Sequence, residues 1–182
     1  MEEVEVEIWR LVQDARGRDV VLLRDQQQRN LPIWIGPCEA TAIWLKLAGA
    51  HASSMVRRPM THDLCLSIIE RLGGRVERIL IDDYSNETYY AKIQLAANGS
   101  ATLVDARPSD AIALALRCGA PVWVSDQIME TCNVAIEEDD IAPGEPPFPA
   151  SPEHIDGDDF PPAADSPPSS DLPPEDEPGQ IA

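Results

Sequence analysis

The sequence predicts an α+β domain at residues 1–136, with a largely antiparallel or mixed sheet and several packed helices. A disordered, acidic and proline-rich tail is predicted at residues 137–182. Strand and helix patterns come in successive groups rather than in strict alternation, which favours α+β over a doubly wound sheet. After Ile136 the patterns end: the tail holds 14 acidic residues, no Lys or Arg and 12 of the 17 prolines. Such a composition buries too little apolar surface to fold.

The first group of patterns predicts three antiparallel strands. Apolar and acidic residues alternate through Glu2–Asp14, as expected of a half-exposed strand, and Trp9 breaks the phase, which indicates a bulge or twist. Two further strands are predicted at Val20–Arg24 and Leu31–Ile35. Short connections between consecutive strands are typical of antiparallel pairing.

Two helices follow these strands. Pro37 suits the first turn of a helix that Gly49 closes. A second helix is predicted to begin with Thr61 as its N-cap and to end at Gly73-Gly74. The apolar positions at helical spacing, predicted to form its buried face, are Leu64, Ile68 and Leu72.

The second group of patterns contains three strands, a helix, a short strand and a last helix. Turns are predicted at Ser85-Asn86-Glu87 and Asn98-Gly99. Asp126 is the predicted N-cap of the last helix. The predicted strands are Arg75–Asp83, Thr88–Ala97, Ala101–Asp105 and Val122–Val124, and the predicted helices are Arg107–Arg117 and Asp126–Cys132.

Charge, cysteine content and hydropathy limit the class of protein. Residues 1–136 hold all 14 basic and 18 of the 32 acidic residues, so the net charge of −18 belongs mostly to the tail and no strongly basic face is evident. The four cysteines lack zinc-site spacing, and Cys65 and Cys118 are expected to be packed thiols. Without a signal-peptide pattern or an apolar run of about 20 residues, the chain is expected to be cytoplasmic, with reduced thiols.

Two predicted helix starts share one arrangement of polar residues. Arg58-Pro59 precedes Thr61, His62 and Asp63, and Arg107-Pro108 precedes Ser109 and Asp110. Free amides at a helix N-terminus bind anions, and an arginine adds a planar fork that fits phosphate oxygens. If the two starts meet, they form a phosphodiester site. The alternative is structural, with Thr61 and Ser109 as caps and the arginines paired to nearby carboxylates.

The chemistry of phosphodiester hydrolysis selects candidates for each role. His62 is the candidate general base, because its ordinary pKa is near neutrality. Carboxylates hold Mg²⁺ or Mn²⁺ in many nucleases, so a divalent metal is expected. The candidate metal ligands and catalytic carboxylates are Asp63, Asp105 and Asp110, and the candidate substrate contacts are Arg57, Arg58, Thr61, Arg107 and Ser109. Weaker candidates are Asp82, Asp83, His51 and His154.

Four tryptophans are large enough to stack on nucleic-acid bases. Core or subunit packing is the preferred interpretation for all of them, because two lie within apolar strand or helix patterns. They are Trp9, Trp34, Trp44 and Trp123.

The run Asp105–Arg117, together with Arg58-Pro59-Met60-Thr61-His62-Asp63-Leu64, resembles the bifunctional nuclease family. The likeness extends from about Val4 to Val134. It implies an α+β domain that cleaves DNA and RNA and forms homo-oligomers, without fixing the role of any residue. Two other functions are consistent with the sequence: a non-catalytic phosphate- or nucleotide-binding regulatory module, or an oligomeric interaction protein. The tail is expected either to dock a protein partner or to compete with nucleic acid for the arginines.

Overall fold

Within the described residues, the fold is built on one seven-stranded sheet with four helices. The computed structural model describes residues 2–49, 58–97 and 99–136. The strands are β1 (Glu3–Gln13), β2 (Asp19–Asp25), β3 (Asn30–Trp34), β4 (Gly74–Ser85), β5 (Thr88–Ala97), β6 (Ser100–Ala106) and β7 (Val122–Ser125). The helices are α1 (Pro37–Leu47), α2 (Thr61–Arg71), α3 (Pro108–Cys118) and α4 (Asp126–Cys132). The α+β class and the mixed sheet are confirmed.

The sheet consists of two antiparallel meanders joined by the last strand. Its order is β3-β2-β1-β7-β4-β5-β6. Strand β7 is antiparallel to β1 and parallel to β4. All other strand pairs described are antiparallel. The edge strands β3 and β6 each lead directly into a helix, α1 and α3 respectively.

Several local sequence signals have the predicted outcome. The register of β1 against β2 shifts between Ile8 and Arg10, so the expected bulge lies at Trp9. Asn86 and Glu87 have φ of 50° and 59° and connect β4 to β5, as a tight hairpin turn of this hand requires. Gly119 ends α3 at φ 70°, a conformation that is readily available to glycine.

The core lies between the sheet and helices α1, α3 and α4. Helix α3 contributes the largest share of any helix, with a buried run that includes Ile112 and Leu114. Ile112 packs in one buried cluster with Ile79, Ile81 and Val124 on the sheet. Each such side chain stabilises the fold by about 1.5–3 kcal/mol on full burial. The core therefore fixes the position of α3 on the sheet.

Helix α2 differs from its prediction in two respects. Its N-cap is Met60, and Thr61 is the first helical residue. The cause is Asp63, whose carboxylate accepts the Met60 N–H at 3.0 Å, so the helix begins one residue earlier than predicted. The predicted buried face is also wrong, because α2 contacts α3 and the start of β4 with its other side. Leu64, Ile68 and Leu72 are 56%, 49% and 75% exposed.

Two smaller predictions are also wrong. The N-cap of α4 is Ser125, and Asp126 is the first residue of this helix. Arg29 binds the Asp126 carboxylate at 2.7 Å and holds Asp126 in this position. Cys65 and Cys118 are exposed rather than packed. Cys65 lies on the outward side of α2, and Cys118 is in the last turn of α3.

The predicted tail at residues 137–182 lies outside the described residues, as do Arg57, His51 and His154. No helix within the described residues is long and apolar enough to cross a membrane.

Candidate functional site around Arg107

The starts of α2 and α3 meet, as the shared arrangement of polar residues predicted. His62 Nε2 lies 3.1 Å from Asp110 Oδ1. Arg107, the N-cap of α3, donates from Nε to Asp110 Oδ2 at 2.7 Å and from Nη2 to Oδ1 at 3.1 Å. A histidine and an arginine are therefore held by a single carboxylate. We call His62, Asp110 and Arg107 the Arg107 centre.

Asp110 is ionised in this arrangement. Partial burial raises the pKa of its carboxyl group. Hydrogen bonds from Arg107 and His62 lower the same pKa by a larger amount, so the net shift is downward. An ionised carboxylate only accepts hydrogen bonds, so Nε2 of His62 carries the hydrogen of their contact. In the neutral ring Nδ1 is then the basic nitrogen. The carboxylate thus fixes the tautomer of His62.

Helix α1 brings a second carboxylate to Arg107. Glu39, in the first turn of α1, accepts Arg107 Nη2 at 2.8 Å. Because β3 leads into α1 and β6 leads into α3, this ion pair joins the two helices that follow the two edge strands. Ion pairing with Asp110 and Glu39 raises the pKa of Arg107 above its ordinary value. Its side chain nevertheless stays 65% exposed, so one side of the guanidinium is open to an anion.

Asp63 is engaged in a neighbouring, structural set of contacts. Its Oδ1 accepts Arg117 Nε at 2.9 Å and lies 3.4 Å from Lys46 Nζ, while its Oδ2 accepts the Met60 amide. Arg117 is only 2% exposed and also donates to the carbonyls of Ala42 and Ala113. Asp63 and Arg117 thus join α1, α2 and α3, a role for Arg117 that no sequence pattern indicated.

Asp105 lies apart from the Arg107 centre. It is exposed on β6 and is the register partner of Lys92 on β5. Lys92 binds Asp82, a weaker sequence candidate. Side chains alternate between the two faces of a strand, so Asp105 points away from the face on which its neighbour Ala106 and the Ala106 partner Ala91 contact the core. The prediction that Asp105 shares a cleft with His62 is therefore wrong.

The remaining described candidates have no hydrogen bond or ion pair to the Arg107 centre. Arg58 is exposed, and no ion pair links it to another described residue. Thr61 is exposed at the start of α2. Ser109 is 8% exposed, follows Pro108 in the first turn of α3, and its hydroxyl has no hydrogen bond to any described residue. Asp83 is exposed at the end of β4.

The predicted metal ligands do not form a common site. Asp63 is neutralised by Arg117 and Lys46, Asp110 by Arg107, and Asp105 lies on the other face of the sheet. Within residues 2–49, 58–97 and 99–136, no three His, Cys, Asp or Glu side chains are placed to hold one ion. The chain's own carboxylates at this site are thus arranged for cationic side chains rather than for a divalent metal.

A pocket of about 320 Å³ lies beside Arg107. Its wall is formed by the end of β3, the first turns of α1 and α3, and the β4–β5 turn. Residues with aromatic or polar side chains in this wall include Trp34, Glu39, Tyr89, Arg107 and Ser109. The sequence did not indicate this pocket, because Trp34 and Glu39 are far along the chain from Tyr89 and Arg107. We call it the Trp34 pocket.

Comparison with known proteins agrees with the fold. Residues 20–137 match the model of the bifunctional nuclease domain. An uncharacterized protein of Mycobacterium tuberculosis is 36% identical over 129 residues, which cover 70% of this chain and 74% of that protein. Bifunctional nuclease 1 of Oryza sativa subsp. japonica is 27% identical over 120 residues, 64% of this chain but 36% of the rice protein. Bifunctional nuclease 1 of Arabidopsis thaliana is 28% identical over 95 residues, 50% of this chain and 29% of the plant protein.

The matched segment contains six of the seven strands, all four helices and every member of the Arg107 centre. The chain belongs to the bifunctional nuclease domain family.

Proposed function

We propose that the chain hydrolyses phosphodiester bonds of DNA and RNA at the Arg107 centre. The observation that carries the proposal is the single carboxylate of Asp110 held at 3.1 Å from His62 Nε2 and at 2.7 Å from Arg107 Nε. A base and a cation are thereby fixed side by side, as attack on a phosphate group requires. Family membership supplies the reaction class.

In the proposed reaction, Nδ1 of His62 takes a proton from the attacking water molecule as the water oxygen bonds to phosphorus. The P–O bond to the leaving sugar oxygen breaks, and a proton from solvent or from the His62 imidazolium completes the leaving hydroxyl group. Asp110 stabilises the imidazolium that forms, because its carboxylate already accepts the Nε2 hydrogen. Arg107 donates to the non-bridging phosphate oxygens and stabilises the charge that develops on them. Glu39 must then share Arg107 with the phosphate, since its carboxylate occupies Nη2 in the free protein.

The test is a cleavage assay on purified protein with single-stranded DNA and RNA. His62→Gln and Asp110→Asn are each expected to lower kcat by about 100-fold or more, the usual contribution of general acid–base catalysis, while circular dichroism shows the fold retained. Asp105 lies on the other face of the sheet, so Asp105→Asn tests whether cleavage takes place there instead of at the Arg107 centre. Activity lost with Asp105→Asn but kept with Asp110→Asn would place the chemistry beside Lys92 instead.

A divalent metal remains a separate proposal, with Mg²⁺ or Mn²⁺ as the candidates. The general use of divalent metals in phosphodiester hydrolysis and the need to neutralise phosphate charge support it, whereas the pairing of Asp63 and Asp110 with cationic side chains does not. The same assay with chelator, followed by re-addition of each metal, decides it. Full activity in chelator would leave Arg107 as the main source of positive charge.

A second candidate function is binding of a phosphate- or nucleotide-bearing ligand without cleavage. The observation that favours it is the full ion pairing of the site, with Glu39 and Asp110 both held by Arg107. Such a module would bind the same oligonucleotides and leave them intact. Intact substrate after prolonged incubation, together with saturable binding lost in Arg107→Gln, would favour this function over hydrolysis.

A further inference from the structure

We infer that the Trp34 pocket binds one nucleotide of a single-stranded nucleic acid, with the base on Trp34 and the phosphate at the start of α3. The inference rests on the proposed function, which it deepens by naming the substrate class. It starts from the position of Trp34, which ends the edge strand β3 and is 48% exposed. Core packing, one of the two roles predicted for this tryptophan, does not account for so exposed a ring, which leaves subunit packing or ligand binding.

The exposed indole is held in a fixed orientation. Its Nε1–H donates to Asp14 Oδ2 at 3.1 Å, and the Arg18 guanidinium lies 5.5 Å from the ring centroid. Arg18 in turn pairs with Asp14 at 2.7 Å. A ring that is already oriented loses little conformational entropy when a base stacks on it. Asp14 and Arg18 thus hold Trp34 as a fixed stacking surface rather than a mobile residue.

The opposite end of the pocket can accept a phosphate group. Arg107 and Ser109 line it. The Ser109 amide is the first-turn donor that remains there, because Pro108 has no N–H and the Asp110 amide already donates to the Arg107 carbonyl at 3.1 Å. Ser109 is more than nine-tenths buried, yet its hydroxyl has no hydrogen bond to any described residue. The hydroxyl itself reaches the surface of the pocket, where it can donate a hydrogen bond to a phosphate oxygen. Arg107 would bind the same group from its exposed side.

The size and chemistry of the pocket favour one nucleotide from a single strand. Its volume of about 320 Å³ is at the lower end of the roughly 300–1,000 Å³ range of small-ligand sites. A base can lie flat on Trp34 only if it is unstacked from its neighbours, as in single strands, loops and ends. The bound phosphate would then lie beside His62 and Asp110, since Arg107 joins the pocket to that pair.

Glu39 opposes this binding and gives a second, independent test. Its carboxylate already occupies Arg107 Nη2 at 2.8 Å, so an incoming phosphate must compete with it. Glu39→Gln removes that competitor while keeping the shape of the side chain. The variant should bind oligonucleotide more tightly than the parent chain, whereas loss of a merely structural ion pair would leave binding unchanged.

The experiment measures binding of fluorescein-labelled oligothymidylate to the full chain carrying His62→Gln, which separates binding from turnover. Trp34→Ala should weaken binding roughly tenfold, the effect of losing one stacked base. Trp34→Phe should retain most of it. Tyr90→Ala is the matched control, because Tyr90 is a similarly exposed aromatic residue outside the pocket, and it should bind as the parent does.

Equal binding by Trp34→Ala and the parent, or equal affinity for oligothymidylate and for its duplex with oligoadenylate, would overturn the inference. The outcome for the proposed function is separate. Cleavage by the wild-type chain with no dependence on Trp34 would support the nuclease function and reject the Trp34 pocket as a nucleotide site. Binding that depends on Trp34 and Glu39 without cleavage would support the Trp34 pocket as a nucleotide site and reject the nuclease function.

Discussion

Helices α2 and α3 begin with similar residues, have 11 residues each and carry apolar residues at helical spacing, yet they occupy opposite environments. Seven residues of α3 are buried, including Ile112 and Leu114, and none of α2 is. The polar starts of both helices are satisfied by named partners, His62 with Asp110 and Asp63 with Arg117. Helix α2 is therefore positioned mainly by its polar end, and α3 by its apolar side.

The difference teaches that helical spacing identifies an apolar side but not what covers it. An amphipathic helix is usually stabilised by burial of its apolar side. The stripe formed by Leu64, Ile68 and Leu72 has no such burial within the described chain. Ion pairs and the Met60 cap must supply part of the stabilisation of α2 instead.

The largest expected effect distinguishes the two apolar sides directly. Leu114→Asp should destabilise the fold by more than the roughly 2–5 kcal/mol of a buried Leu→Ala change, because it buries a carboxylate without a partner. Leu64→Asp should change stability by only about 0.5 kcal/mol. Urea denaturation of both variants tests this. A large loss for Leu64→Asp would mean that a second subunit or another segment covers α2.

The arginines of the two helix starts should differ in binding. Arg107→Gln is expected to weaken oligonucleotide binding by about tenfold or more, since it removes a charge-assisted contact at the pocket. Arg58→Gln should weaken it by about threefold or less, as expected of an exposed, screened contact. Fluorescence anisotropy at one fixed salt concentration measures both. Equal losses would show that the starts of α2 and α3 contact the substrate alike.

The acid sensitivity of α2 should depend on Asp63. Burial raises the pKa of Asp63, but the Met60 amide, Arg117 and Lys46 together lower it, for a net downward shift. A lowered folded-state pKa stabilises the protein above the unfolded value of about 3.9 and loses that effect as pH falls through the folded value.

Asp63→Asn should therefore cost about 1 kcal/mol near pH 7, similar to loss of a helix cap, and much less near pH 3. Thermal denaturation across this pH range is the measurement. A constant difference between variant and wild type at all pH values would show that the charge of Asp63 does not hold α2.

The smallest expected effect concerns the acidic tail. Truncation after Ile136 should leave the melting temperature nearly unchanged, because residues 137–182 have few apolar side chains. Oligonucleotide binding should tighten at low salt, with the difference shrinking as salt rises, if the tail competes for Arg107. Unchanged binding at low salt would exclude that competition. A clear fall in melting temperature would instead indicate that the tail packs on the domain.

Strands, turns and helix starts were predictable because their signals are local. The bulge at Trp9, the turn at Asn86 and the stop at Gly119 each depend on a few adjacent residues. Convergence of His62 with Asp110 was also predicted, from the matching helix starts. Family resemblance added the reaction class.

The remaining parts of the site depend on three-dimensional placement. Asp105 was assigned to the same cleft as Asp110, but strand alternation turns it to the other face of the sheet. Glu39 joins the site only because both edge strands lead into neighbouring helices. The burial of Arg117 and the exposure of Leu64 likewise follow from where α2 lies, which no local pattern determines.

Strand β7 has a consequence for the order of folding during synthesis. It is made after both meanders, and it pairs with Val4 of β1 on one side and Ile81 of β4 on the other. We expect each meander to form early from local pairings, with its inner edge exposed until Val122–Ser125 arrives. Exposed edges promote association between chains. Pulsed hydrogen exchange should therefore show the amides of β7 protected last, and earlier protection of β7 would contradict this order.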